Sequence, residues 1–152
     1  MVLKKYKNWL IASESIHKFI CGLMLNGKVS QLEKIVFFCF RDLKYKFNMD
    51  SLSLFLYVVD EIMPYIELRT LRLGSVFYRI PKPLSESKQL NCGIKLLAKT
   101  VKITCVRNVA AAIKIQQEIL AVLQKKSLLF KQNRNLYQVA SNNRSFAHYR
   151  WD

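Results

Sequence analysis

The sequence predicts a mainly α-helical fold, a six-helix bundle with a two-stranded β-hairpin protruding between the third and fourth helices. Three observations predict it. Glycine and proline number four and three in 152 residues, too few for a turn-rich sandwich or barrel. Apolar residues recur at three- and four-residue steps through most of the chain, the period of helices with one buried side. One stretch, residues 65–81, abandons that period for alternation. With 51% of its residues apolar, the chain has enough to bury a genuine core, and its length suits one domain over residues 1–152.

Residues 1–12, with Lys4, Lys5 and Lys7, read as a basic stub. The first helix is expected over residues 13–25, where Ile16, Phe19, Ile20, Leu23 and Met24 form one stripe. Asn26-Gly27 stops it, since both residues tolerate the left-handed conformation of a helix end. Ser30 and Glu33 have the spacing of a capping box, opening a second helix to about residue 46 with Leu32, Ile35, Val36, Cys39, Phe40 and Leu43 inward. Asp50 or Ser51 can cap a third helix over 52–63, and Pro64 ends it. That helix is apolar nearly all round and is expected at the centre of the bundle. Within 65–81, two alternating, β-branched and aromatic runs flank Leu73-Gly74-Ser75 and give the hairpin, closed by Pro81 and Pro83. The fourth helix is expected over 90–104, with Ile94, Leu97, Val101 and Cys105 inward. Lys88, Lys95, Lys99 and Lys102 recur along one side of it, a rail of ammonium groups suited to a phosphate backbone. A fifth helix over 109–123 and a sixth over 133–143 follow, and 144–152 forms a tail in which Phe146, Tyr149 and Trp151 accompany Arg150. Such a tail is suited equally to docking on the core and to contacting RNA.

Charge bounds the function. Twenty-five Lys and Arg oppose ten Asp and Glu, a net +15, and residues 87–152 hold twelve bases against only Glu118 and Asp152. A half-chain nearly free of carboxylates reads as an electrostatic face for a polyanion. No apolar run approaches the roughly 18–20 residues that span a bilayer, so no membrane role is expected. Lys18, His17 and Glu14 interrupt the first apolar stretch too early for a signal-peptide core. Cys21, Cys39, Cys92 and Cys105 form no C-x-x-C pair and lie among apolar neighbours, so four buried reduced thiols are expected and no metal site. The carboxylates lie mostly on polar helix faces, and His17 and His148 have no acid or nucleophile beside them. Catalysis and a cofactor are therefore not expected.

Three segments carry a resemblance. Residues 18–28, with Ser30 and Glu33 to follow, resemble the first helix and Gly-Lys loop of small-subunit ribosomal protein seven, a universal family. Ile66-Glu67-Leu68-Arg69, Arg72-Leu73-Gly74 and Tyr78-Arg79-Ile80-Pro81 are similar to that family's hairpin, and Phe146-Ala147-His148-Tyr149-Arg150-Trp151 to its C-terminus. The resemblance implies binding to the 3′ major domain of small-subunit rRNA, assembly of the head, and proximity to exit-site tRNA and the mRNA exit path. Its implied partners are rRNA and the head and platform proteins, without homo-oligomerisation. Carried over, Lys4, Lys5, Lys28, Arg69, Arg72, Arg79, Lys82, Lys88, Lys95, Lys99 and Lys102 become candidate rRNA contacts. Leu73, Gly74, Ser75, Arg144, His148, Tyr149, Arg150 and Trp151 become candidates near the tRNA and the exit path.

Departures from the family pattern are also legible. Leu71 and Ser75 replace one of the family's paired hairpin arginines and one of its turn glycines, so a less basic tip is expected. Lys88-Gln89 and Lys95-Leu96 stand where the family has Arg-Arg and Arg-Trp, exchanging a planar fork for a point charge. A bias toward Lys, Ile, Leu, Phe, Asn and Tyr suggests an AT-rich organellar gene. Ser145-Phe146 after Asn143-Arg144 is similar to mitochondrial members, which points to a mitochondrial ribosome, with a plastid or the bacterial cytoplasm as alternatives. A basic helical DNA-binding module would need a helix-turn-helix, and a helical enzyme for an anionic substrate would need a pocket with convergent titratable groups. Neither accounts for ribbon and tail together.

Overall fold

The third helix is the hub of the structure. A computed structural model describes the backbone of residues 2–24, 26–103 and 110–151, and the side chains among these except 2–12, 73, 150 and 151. The helices are α1 (Val2–Leu23), α2 (Val29–Phe47), α3 (Ser51–Ile62), α4 (Glu86–Ile103), α5 (Ala111–Leu123) and α6 (Leu128–Asn142). Strands β1 (Ile66–Leu73) and β2 (Val76–Pro83) separate α3 from α4, and a 3-10 helix, Arg144–Trp151, ends the chain. The sequence calls for α3 at the centre, and α3 packs against each of the other five helices. Leu54, Phe55, Val58, Val59 and Ile62 are all buried there. Phe55 lies with its ring centre 5.5 Å from Phe19 of α1 and 5.6 Å from Phe40 of α2, separations at which tilted aromatic pairs attract. Gly93 lets α4 close on α3, since a Cβ there would lie 3.1 Å from the Met63 Cβ.

Several boundaries differ from the sequence expectation. The first helix runs from Val2, so the segment bearing Lys4 and Lys5 continues α1 as helix. The Ser30–Glu33 capping box is not used: Lys28 holds the N-cap position without a side-chain hydrogen bond, and α2 has begun by Val29. Helix α4 starts at Glu86, which brings Lys88 into its first turns. Helix α6 starts at Leu128, capped by the Ser127 hydroxyl, which accepts from Leu129 N–H at 3.2 Å. Ser127 also donates to Glu118, a buried carboxylate rather than one on a polar face. The cysteines are not uniformly buried: Cys39 is, Cys92 is half-buried, Cys21 is exposed, and Cys105 falls outside the described residues. Burial pushes the Cys39 thiol up to about 12, with Asp42 adding to the effect and Lys46 opposing it.

The hairpin extends further than the alternation suggests. Pro81 and Pro83 do not close it but pair within it, opposite Leu68 and Ile66. A two-stranded ribbon leaves every second N–H outward, so a residue without one is tolerated. Gly74 takes φ +62° at the first central position of the two-residue turn, where a side chain would be strained. The base of the ribbon is held by α6 and the C-terminal 3-10 helix. Tyr65 N–H donates to the Tyr137 hydroxyl at 3.1 Å, and Asn133 Nδ2 donates to the Ile62 carbonyl at 2.8 Å, satisfying the end of α3. These contacts supply the support that an isolated hairpin lacks in water.

Candidate nucleic-acid interface

Four elements position the cations. On α4, Lys88, Lys95, Lys99 and Lys102 are all exposed. At 100° per residue they fall within about 60° of one another around the axis and extend about 21 Å along it. The opposite side of α4 buries Ile94, Leu97, Ala98 and Val101, so the rail points away from the core. Lys102 also sits in the last turn, where the helix dipole favours a positive charge.

The ribbon divides its cations between two faces. Paired residues of an antiparallel ladder project to the same side, and successive residues alternate. Arg72 and Arg79 therefore share a face with Thr70 and Phe77, while Arg69 and Lys82 share the other with Glu67, Tyr78 and Ile80. Ile80 is buried on that second face, and Tyr78 packs its ring against Phe146, centres 4.7 Å apart. The ribbon base reaches α4. The half-buried Cys92 thiol is pushed up first by burial and then by Glu67, with Lys95 acting against both. Glu67 stands opposite Lys82 across the ribbon and, like Lys95, lies close enough to Cys92 to act on its thiol.

At the tip, Arg72 turns inward on its own hairpin. Its Nε donates to the Gly74 carbonyl at 3.0 Å and its guanidinium lies 5.7 Å from the centre of the Phe77 ring. Gly74 and Ser75 are exposed. Lys28 is exposed in the loop after Asn26 (φ +53°) and Gly27 (φ +73°), two successive left-handed residues that reverse the chain. Close packing sets the last turns of α1 on α4, because a Cβ at Gly22 would lie 3.0 Å from the Ala98 Cβ, one residue before Lys99.

The tail splits its roles. Phe146 is half-buried on the ribbon, whereas Arg144 and His148 are exposed. His148 Nδ1 donates to the Ser145 carbonyl at 2.9 Å and its ring lies 4.0 Å from that of Tyr149. The side chains of Lys4, Lys5, Leu73, Arg150 and Trp151 lie outside the described residues. Sequence reasoning passed over Lys125 and Lys126, an exposed pair in the turn between α5 and α6, with Lys125 at φ +57°. Adjacent lysines at a break between two amphipathic segments were the signal available. Arg134 was passed over too, and it lines a cleft with Asp60, Glu61 and Tyr137. Among the described residues no group of three or more His, Cys, Asp or Glu could hold a metal ion, and no helix is long and apolar enough to cross a membrane.

The structure is thus a helical body that presents exposed cations on α4, on the Lys28 loop and on the ribbon. A family model described as "Ribosomal protein S7p/S5e" matches residues 3–144, and the chain belongs to that family. It is accordingly a structural ribosomal protein and not an enzyme. Among curated proteins it is 30% identical to the small ribosomal subunit protein uS7 of Wigglesworthia glossinidia brevipalpis, over 91% of this chain and 88% of that one. It is 29% identical to uS7 of Thermotoga neapolitana, over 90% and 86%. With uS7 of a Sulfurovum species the identity is 27%, over 91% and 88%.

Proposed function

We propose that the chain is a small-subunit protein that binds the 3′ major domain of the small-subunit rRNA and organises assembly of the subunit head. The observation that carries the reading is the exposed four-lysine stripe of α4, in a half-chain, residues 87–152, that holds only two carboxylates. Cations on a rigid helix displace the counterions condensed on folded RNA, which gives affinity that weakens with salt. The deep, narrow A-form groove excludes side chains, so shape, phosphates and 2′-hydroxyls supply the specificity. The helical body fixes how far apart the α4 rail, the Lys28 loop and the ribbon stand, and so holds rRNA helices in one arrangement.

The ribbon tip and tail then lie near the exit-site tRNA and the mRNA exit path, with Gly74, Ser75, Arg144, His148 and Tyr149 as the contacting groups. Arg72, tethered through Nε to the Gly74 carbonyl, keeps its charge and its terminal N–H donors, so phosphate contacts on that face rest on Arg72 and Arg79. A net charge of +15 opposes self-association, and the chain acts as a single copy beside head and platform proteins. The residue bias and the Ser145-Phe146 tail support a place in a mitochondrial ribosome. Sedimentation of tagged protein from purified mitochondria, at moderate and high salt, with the bound RNA sequenced, tests the whole reading. Co-migration with the small subunit and enrichment of the 3′ domain are expected. Migration as a free protein, or recovery of DNA, would overturn it.

A further inference from the structure

The side of the molecule built from α1, α2 and the start of α3 differs in chemistry from the basic face. Phe37 is 68% exposed and Tyr45 80%, and Phe38, Phe47 and Met49 are exposed with them. Of these, Phe37 and Tyr45 border one apolar groove, the contiguous kind of exposed surface that marks an interaction site. The groove has a volume of about 650 Å³ and runs between α1 and α2, floored by Ile16, Ile20, Val36 and Phe40 and rimmed by Phe37, Arg41 and Tyr45.

Charge here is locally balanced. Over residues 29–50 four cations, Lys34, Arg41, Lys44 and Lys46, meet three carboxylates, Glu33, Asp42 and Asp50, a net +1. Over 87–152 the corresponding balance, twelve against two, is +10. Arg41 pairs with Asp42 at 3.7 Å, Lys44 with Asp50 at 3.9 Å and, nearby on α1, Lys18 with Glu14 at 4.0 Å. The Arg41 guanidinium also lies 5.0 Å from the centre of the Phe38 ring. Cations already engaged with carboxylates release few counterions on meeting RNA, which removes the main source of RNA affinity. A second copy of a +15 chain is repelled.

We infer that this groove docks an amphipathic helix of another protein of the small subunit, apolar on the buried side and carrying carboxylates at its edge. The inference rests on the ribosomal reading above. Apolar side chains at helical spacing fill the floor left open between Ile20 and Val36, the mode by which grooves take partner helices. Phe37 and Tyr45 act as aromatic anchors, the residue type that dominates such interfaces. Carboxylates of the partner meet Lys34, which is exposed one turn before Phe37 and Phe38 and lies outside the ion pairs named above.

Photo-crosslinking in small subunits reconstituted with the full chain tests this. The residue p-benzoyl-phenylalanine replaces Phe37 or Tyr45 in two variants, and Lys95 on the basic face in a third. Phe37 and Tyr45 are expected to crosslink to one protein, at a segment with apolar residues three and four apart and flanking carboxylates, while Lys95 crosslinks to rRNA. In a further variant, Phe37→Asp/Tyr45→Asp, retention of that protein in the subunit should fall at least about tenfold, as loss of two aromatic anchors requires. Binding of the full chain to rRNA should stay within about twofold. Crosslinks from Phe37 to rRNA or to a second copy would overturn the inference, as would open solvent at both groove positions while Lys95 still reaches rRNA. Failure at Lys95 alone would instead sink the rRNA reading and leave the groove assignment standing.

Discussion

Replacing Lys95 and Lys99 with alanine should flatten the salt dependence of rRNA binding by a calculable amount. The two residues lie one turn apart on α4, their Cα atoms about 6 Å apart along the axis, and both are exposed on the rail. Each lysine that neutralises a phosphate contributes about 0.7–0.9 to the slope of log K against log salt. Removing two should therefore lower the slope by about 1.4–1.8, which, if the two proteins share the same value at 1 M salt, makes the variant bind roughly fortyfold more weakly than the native chain at 0.1 M. Binding of the full chain to the 3′ major domain fragment, followed by fluorescence anisotropy from 50 to 300 mM salt (on the order of the range over which such slopes are measured), gives the number. Lys95→Arg/Lys99→Arg should keep the slope, because the charge remains. Reversal to Glu should weaken binding further while leaving the helical signal intact, since neither lysine is part of the core. An unchanged slope in the alanine variant would refute the rail, whatever happens to the absolute affinity.

Three other outcomes follow from the packing. Phe146→Ala should loosen the ribbon from the tail, raising amide exchange around Tyr78 by the equivalent of about 1 kcal/mol of lost ring contact while core amides hold; equal acceleration throughout the core would mean that the tail is a plug for the whole fold. Ser127→Ala should cost about 2–3 kcal/mol, because it removes the cap of α6 and the donor to the buried Glu118, and a melting shift below about 2 °C would contradict that role. Cys39 gives a pH signature. An unfolded thiol ionises near 9.0 and the folded one near 12, so between these values the folded chain keeps a proton that the unfolded chain has lost. Stability then falls as pH rises through that window, by up to about 1.4 kcal/mol per unit from this group. Denaturation at pH 9 and 10.5 (roughly the lower half of the window) should show a steeper decline for the native chain than for Cys39→Ala, and parallel declines would remove Cys39 as the cause.

The sequence by itself determined the helices, their order and the place of the hairpin, because these depend on local period and punctuation. The all-round apolarity of 52–63 already assigned α3 to the centre, and Gly74 already marked the turn. The α4 lysines were legible for the same reason: a helical period maps spacing onto one face without tertiary information. Helix ends were less legible. Ser30 and Glu33 have the capping spacing, yet the left-handed Asn26 and Gly27 reverse the chain early enough for α2 to begin before them. Ser127 was missed because its partner Glu118 lies nine residues away on another helix and meets it only when α5 and α6 fold together. Tertiary structure alone decided what surrounds the cations. It folded Arg72 onto its own turn, brought Glu67 of the ribbon and Lys95 of α4 to act on the same thiol, Cys92, and packed Phe146 on Tyr78. It also left Phe37 and Tyr45 outside the core, although their helix reads as ordinary amphipathic sequence. Periodicity reports which side of an element is apolar, whereas contact between distant elements determines how much of that side another surface covers.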